Sequence, residues 1–210
     1  TRIALLMFVI RFMGGADPSA SDTFMFVEQA NSPWMYLLGN AQSGNMPPLL
    51  GPLLALTLRP LLGLFSDGVA LRLCMIGWEL LAFGLVLATL RTSLSVTPRT
   101  RRIALSAWIF GPMAWMTTTV AGQDEVIATA WIAAALLCWH HGRFGWAALL
   151  AGLGVAAGKI FVGLLLASMV LVVPLRAGLR LAFIGGLPIA LAYGTAIIAA
   201  LARGGAAPMS

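Results

Sequence analysis

Apolar residues fill this chain in long blocks, with polar residues gathered between them. Positions 69–90, 103–120, 125–140, 144–174 and 181–202 are apolar almost without a break. A membrane-crossing helix needs about 20 such residues, so the blocks predict transmembrane helices. The block 144–174 is too long for one ordinary span, and Gly158-Lys159 interrupts its middle. It predicts either two short helices of about 15 residues turning at Lys159 or a single long tilted one. At the start, Ile3 to Met13 is about half a span and contains Arg11; it reads as the tail of a first transmembrane helix. The chain opens without an initiator Met and stops at "RGGAAPMS", just after an apolar block, as a piece of a longer protein would.

The polar segments are of two kinds. "RTSLSVTPRTRR" (91–102) carries four Arg, "HHGR" (140–143) one and "LRAGLR" (175–180) two. Short loops rich in Arg stay on the cytoplasmic face. The opposite face then takes residues 14–68, the turn at 121–125 and the turn at Lys159. With them go six of the seven acids: Asp17, Asp22, Glu28, Asp67, Asp124 and Glu125. The alternation holds only if "PPLLGPLLALTLRPLLGLF" (47–65) does not cross. Its four prolines and Arg59 oppose a clean span. It predicts one or two short helices along the outer interface, with the apolar face in lipid and Arg59 at the headgroups.

The expected fold is therefore all-α, a polytopic helical membrane protein of about seven transmembrane helices forming one membrane domain over 1–210. Residues 1–13 end the first span, 14–68 form an external loop with interfacial helices, 69–202 hold six further spans, and 203–210 begin an external tail. Cys74 and Cys138 would sit at opposite faces as buried small hydrophobes, too far apart for a disulfide.

Composition narrows the class. Of 210 residues 60% are hydrophobic and 10% charged, and the mean hydropathy is +0.93. A soluble domain carries about 25% charged residues, so a soluble globule is excluded. The net charge of +6 does not point to nucleic acid, because the arginines are few and flank apolar runs. They are membrane-orienting charges. No Walker, GxGxxG, HExxH or redox CxxC pattern is present.

Chemistry, if present, belongs on the acidic face. In "ADPSASDTFMFVEQA" the spacing predicts a helix over 22–30 with Phe24, Val27 and Asn31 on one face and Asp22 at its N-cap. Asp22 is either that cap or a carboxylate facing an external cleft, available as a general base or metal ligand; Asp17 starts a turn before Pro18. In "GQDE", Gln123, Asp124 and Glu125 either start the next helix and favour its dipole or face the same cleft. Lys159 either snorkels from a hairpin tip or holds a phosphate, assisted by Arg11 and Arg72. Glu79 is an intramembrane acid, either on a transport pathway or paired within the bundle. His140 and His141 are adjacent, so they do not share a helix face, and they read as interfacial. "GGLPIALAYG" (185–194) predicts helix packing and a kink.

Together these pieces resemble a family. Asp22 is followed by Phe26 and Ala30, then come "PPLLGPLLAL", "GQDE" opening a span, and "AGLGVAAGKIFVGLLL". This order, over nearly the whole chain, is similar to the GT-C superfamily of integral-membrane glycosyltransferases, especially the bacterial polyprenol-phosphate-sugar-dependent mannosyltransferases. The resemblance implies a seven-span core with interfacial helices in the first external loop, in the bacterial inner membrane. It implies that a sugar on a polyprenyl phosphate passes to a glycan or lipid acceptor outside the cytoplasm. Asp22 then stands where the family's base stands. Asp124, with Gln123 and Glu125, matches a second polar site that binds substrate or, in some members, a divalent metal. Lys159 matches a cation near the lipid phosphate, with Arg11 and Arg72 close by. Two departures stand against it: Phe26 occupies a position where the family often has Tyr, and the further spans or soluble domain usual in the family are not in this sequence. A different class, an accessory transmembrane subunit of a larger membrane complex, fits the same apolar pattern.

Overall fold

The computed structural model describes residues 20–35, 37–38, 47–93, 96–110 and 124–202, and among them every element is a helix. Helix α1 spans Ala20–Asn31, α2 Leu50–Thr57, α3 Arg59–Leu62, α4 Asp67–Thr92, α5 Pro98–Phe110, α6 Glu125–His140 and α7 Phe144–Ala157. A 3-10 turn at Ile160–Val162 leads into α8, Gly163–Leu171, and α9 covers Leu175–Ala202. The all-α expectation is met.

Among the described residues two helices are long and apolar enough to cross a membrane: α4 with 26 residues and α9 with 28. At 1.5 Å per residue they are about 39 and 42 Å long, more than a bilayer's hydrocarbon core of about 30 Å. Only 22% of the apolar centre of either one is buried in the bundle. On α9, Leu179, Phe183, Leu187 and Leu191 recur every fourth residue and are all exposed. Glu125–His140, Phe144–Ala157 and Ile160–Leu171 are shorter apolar helices.

The block 144–174 resolves into a hairpin, not one tilted helix. At Gly158 the backbone leaves the helix (φ −125°, ψ −100°) and Lys159 is extended. The N–H groups of Gly158 and Lys159 both donate to the Gly154 carbonyl, at 2.9 and 3.1 Å, and close α7. The α6–α7 turn has a different device. Gly142 has a positive φ of 70°, its N–H donates to the Trp139 carbonyl (2.9 Å), and that of Arg143 to the Cys138 carbonyl (2.9 Å). This is the Schellman pattern, which calls for glycine at the left-handed position.

Several boundaries differ from the sequence-based expectation. Residues 175–180 are the first turns of α9 and not a loop, and α5 starts at Pro98, so Arg99, Arg101 and Arg102 are helical. Arginine is a good helix former, and proline suits a first helical position. Thr97 caps α5: its Oγ1 accepts from the Thr100 N–H at 3.1 Å. Replacing it, Thr97→Ala, is expected to cost about 1 kcal/mol, read as a lower thermal midpoint in detergent with the helical signal otherwise retained.

Segment 47–65 does form two short helices, with Pro52 and Pro60 in their first turns, where a missing N–H costs least. Its main apolar face, however, is not in lipid. Leu50, Leu54 and Leu58 are fully buried, at i, i+4 and i+8, and join Phe26, Ala30, Leu71, Met75 and Ile127 in the main core. Leu56 and Leu64 on the other side are exposed. Helix α1 turns the side opposite Phe24 inward: Phe24 is 67% exposed, while Thr23, Phe26, Gln29 and Ala30 are buried.

Packing shows which helix ends lie together. The main core joins the first turns of α4 (Ala70, Leu71, Cys74) to the first turns of α6 (Val126, Ile127), so these two helices run parallel. The Leu49 N–H donates to the Ala156 carbonyl (2.8 Å), bringing the start of α2 to the end of α7. A second core of Ala135, Ala147, Ala151, Leu166 and Leu181 binds the other ends. One end of the bundle therefore carries Glu28, Asp67, Asp124, Glu125 and Lys159. The other carries Arg91, Arg99, Arg101, Arg102, Arg143, Arg176 and Arg180 with both histidines, and no acid among the described residues. Cys74 lies toward the first end and Cys138 toward the second, and both are free thiols.

Candidate functional site

Asp124 stands at the N-cap of α6, and the α7–α8 hairpin presents Lys159 to it. Parallel packing of α4 on α6 and the antiparallel α6–α7 hairpin fix both at the acidic end. Lys159 Nζ is 2.9 Å from Asp124 Oδ1 and 3.7 Å from Glu125 Oε1. The Asp124 side chain is 3% exposed and that of Lys159 33%. A buried aspartate thus pairs with a cation that still reaches solvent.

The electrostatics follow from that asymmetry. Burial pushes the Asp124 carboxyl above its usual range, against the pull of the Lys159 ammonium. Burial also pulls Lys159 down, but Asp124 and Glu125 outweigh it and hold the ammonium above its ordinary value. Asp124 Oδ2 and Glu125 Oε2 are buried atoms without a hydrogen-bond partner. Such atoms are uncommon in folded proteins and call for an explanation.

One polar residue escaped the sequence reading. Gln29 is fully buried on α1, and both its amide atoms are unpartnered. The signal was there: Gln29 lies three residues after Phe26, on the buried side of the helix.

The remaining candidates fall as follows. Asp22 is in the first turn of α1 rather than at its cap, because the helix begins two residues earlier, at Ala20. Helical register puts position 22 one turn before Phe26 and two before Ala30; the Asp22 side chain is outside the described residues, as are Arg11, Asp17 and Gln123. Arg72 is buried on the second turn of α4, and its Nη1 donates to the Gly68 carbonyl at 2.9 Å. Glu79 is buried midway along the same helix, and it is not without a partner. The rings of His140 and His141 meet edge-on with centroids 5.6 Å apart at the basic end. Gly185 packs closely on Gly152, as expected for a packing segment, and Pro188 lies inside a continuous α9.

The cluster does not suit a metal. Among the described residues no three His, Cys, Asp or Glu side chains are grouped to hold one, and the Lys159 ammonium already occupies the space between the two carboxylates. The arrangement can instead hold a fixed cation at a partly open surface. A lysine has three N–H donors, and two carboxylates leave it capacity for an anionic oxygen.

No protein-family model, curated protein or solved structure matches this chain.

Proposed function

We propose that the chain is a multi-pass membrane protein of about seven spans, resident in the bacterial inner membrane, with its acidic end outside the cytoplasm. On this reading it is a GT-C-type glycosyltransferase that moves a sugar from a polyprenyl-phosphate donor to a lipid or glycan acceptor. The acceptor hydroxyl attacks the anomeric carbon, the bond to the phosphate breaks, and the phosphate leaves with the electron pair. Asp22 takes the hydroxyl proton. Lys159, held by Asp124, steadies the leaving phosphate, and the buried Asp124 edge and Gln123 bind donor or acceptor hydroxyls.

One observation carries the reading: a buried, half-satisfied carboxylate–lysine cluster sits at the bundle end where the Asp22 helix docks. Its unpartnered oxygens are acceptors a sugar hydroxyl would satisfy. The membrane part draws on the exposed apolar stripe of α9 and on the absence of acids, among the described residues, from the end that carries seven of the nine described arginines.

A second reading has its own support. Each carboxylate gives one oxygen to Lys159, as a structural ion pair would, and α4 and α9 leave most of their apolar surface uncovered. A non-catalytic subunit packed against other membrane helices has the same features. The deciding experiment is sugar transfer from polyprenyl-phosphate sugars by the full-length protein, with Asp22→Ala alongside. Transfer by the parent and its loss in the variant are expected. Equal transfer by both removes Asp22 as the base. An inactive parent that purifies in a larger membrane assembly turns the assignment to the subunit.

A further inference from the structure

A cavity of about 510 Å³ opens at the basic end, where the α6–α7 turn meets the α8–α9 turn, far from Lys159. Arg143 lines it from the α6–α7 turn and Arg180 from the second turn of α9, and Phe144, Trp146, Leu181 and Ile184 form much of its apolar wall. Both arginines are exposed, and among the described residues neither forms an ion pair. Residues 126–202 contain no Asp or Glu, and the described acids of the preceding segments lie at the opposite end of the bundle or midway along α4. Two exposed guanidinium groups lining one cavity are screened only by water, and together they offer an anion two sets of planar donors.

The wall decides which anion. A free phosphate would satisfy the arginines and leave the apolar floor wet. A phospholipid satisfies both: the phosphate lies between the arginines, and an acyl chain continues from Ile184 along the exposed stripe of Leu187 and Leu191. Trp146 is 61% exposed at the cavity rim, the position tryptophan prefers at a headgroup layer. Guanidinium groups bind phosphate oxygens in a paired, planar geometry that lysine does not reproduce. We infer that this cavity binds the headgroup of an anionic phospholipid from the leaflet facing the basic end. The inference rests on the membrane reading but not on glycosyl transfer.

Native mass spectrometry of the full chain, released from bilayers of mixed phosphatidylglycerol and phosphatidylcholine, tests it. The parent should retain phosphatidylglycerol in preference. Each of Arg143→Gln and Arg180→Gln should weaken that preference about fivefold. Arg176→Gln, on the same helix but outside the cavity, should leave it unchanged, and the Arg143→Lys, Arg180→Lys pair should retain part of it if the glutamine variants prove unstable. Inorganic phosphate should not displace the lipid. Equal retention by parent and glutamine variants overturns the site. An equal loss in Arg176→Gln reduces it to a general basic surface, and displacement by inorganic phosphate removes the lipid assignment. A chain without transferase activity that still selects phosphatidylglycerol would sink only the enzymatic reading.

Discussion

Replacing Lys159 by methionine is expected to lower stability by about 2–3 kcal/mol, at or just under the lower limit for breaking a fully buried ion pair. The reason lies with its partner. Asp124 is buried and keeps its ammonium at 2.9 Å; without it the carboxylate has no cation and must stay ionised in an apolar site or take up a proton. Because a third of the Lys159 side chain is exposed, water screens part of the loss. Asp124→Asn should cost less, since Lys159 keeps Glu125 and solvent. The double variant Asp124→Asn, Lys159→Met should recover part of the loss, because it buries no unpaired charge. Thermal unfolding of the four proteins in detergent measures the coupling; additive losses would mean the pair contributes nothing as a pair. The pH dependence has a definite sign. The folded Lys159 ammonium is held above its ordinary 10.5, so its contribution is complete below that pH and disappears as pH rises through the folded value. The advantage of the parent over Lys159→Met should therefore persist at neutral pH and shrink at strongly alkaline pH.

That pair also shows what the sequence made legible. Arg counts in short loops placed "GQDE" and Lys159 on one side, and the fold brings them together. The sequence reading nonetheless treated them as separate, a carboxylate for a cleft and a cation for a phosphate. Opposite charges sharing one end of an apolar bundle have few partners besides each other, and that constraint was available. Helix faces were less legible. A chain whose helices are apolar nearly all round has no polar stripe to mark the outside, so the sequence grouped Phe24 with Val27 on one face without showing that Phe26 and Ala30 hold the core. The same uniformity hid the buried side of 47–65, where Leu50, Leu54 and Leu58 differ from Leu56 only in register. Loop lengths were overestimated because Arg was read as a loop marker. In α5 and α9 arginine continues the helix, and Thr97 and Pro98 mark the real start of α5. The break at Gly158-Lys159 was visible because it combines a glycine with a charge inside an apolar run. Asp22 is different: its helix and register are in place, and its chemistry depends on a side chain and neighbours outside the described residues.

Adding a methyl group at Gly152 is expected to pry α7 from α9. A Cβ there would collide with the Gly185 carbonyl oxygen and stand 2.8 Å from the Gly185 carbonyl carbon and 2.9 Å from Pro188 Cγ. The first two are backbone atoms, which cannot rotate away. Gly185→Ala meets the same crossing from the other side, with Leu166 Cδ1 at 2.5 Å and the Ala148 carbonyl oxygen at 2.7 Å. Close approach through small residues is how apolar helices gain contact when burial from water gives no drive. Either variant should lose about 3 kcal/mol, the upper part of the overpacking range, unless the helices separate. Gly186 and Gly194 lie on the same helix with nothing near a built Cβ, so alanine there should be neutral or stabilise by up to about 1 kcal/mol. Detergent unfolding midpoints of the four variants separate packing from helix propensity: if Gly152→Ala and Gly186→Ala behave alike, the crossing is not what holds α7 to α9. The consequence reaches the candidate site, because α7 ends at the Gly158 turn that presents Lys159. A shifted α7 should weaken the Lys159–Asp124 pair, so combining Gly152→Ala with Lys159→Met should cost less than the two losses added together.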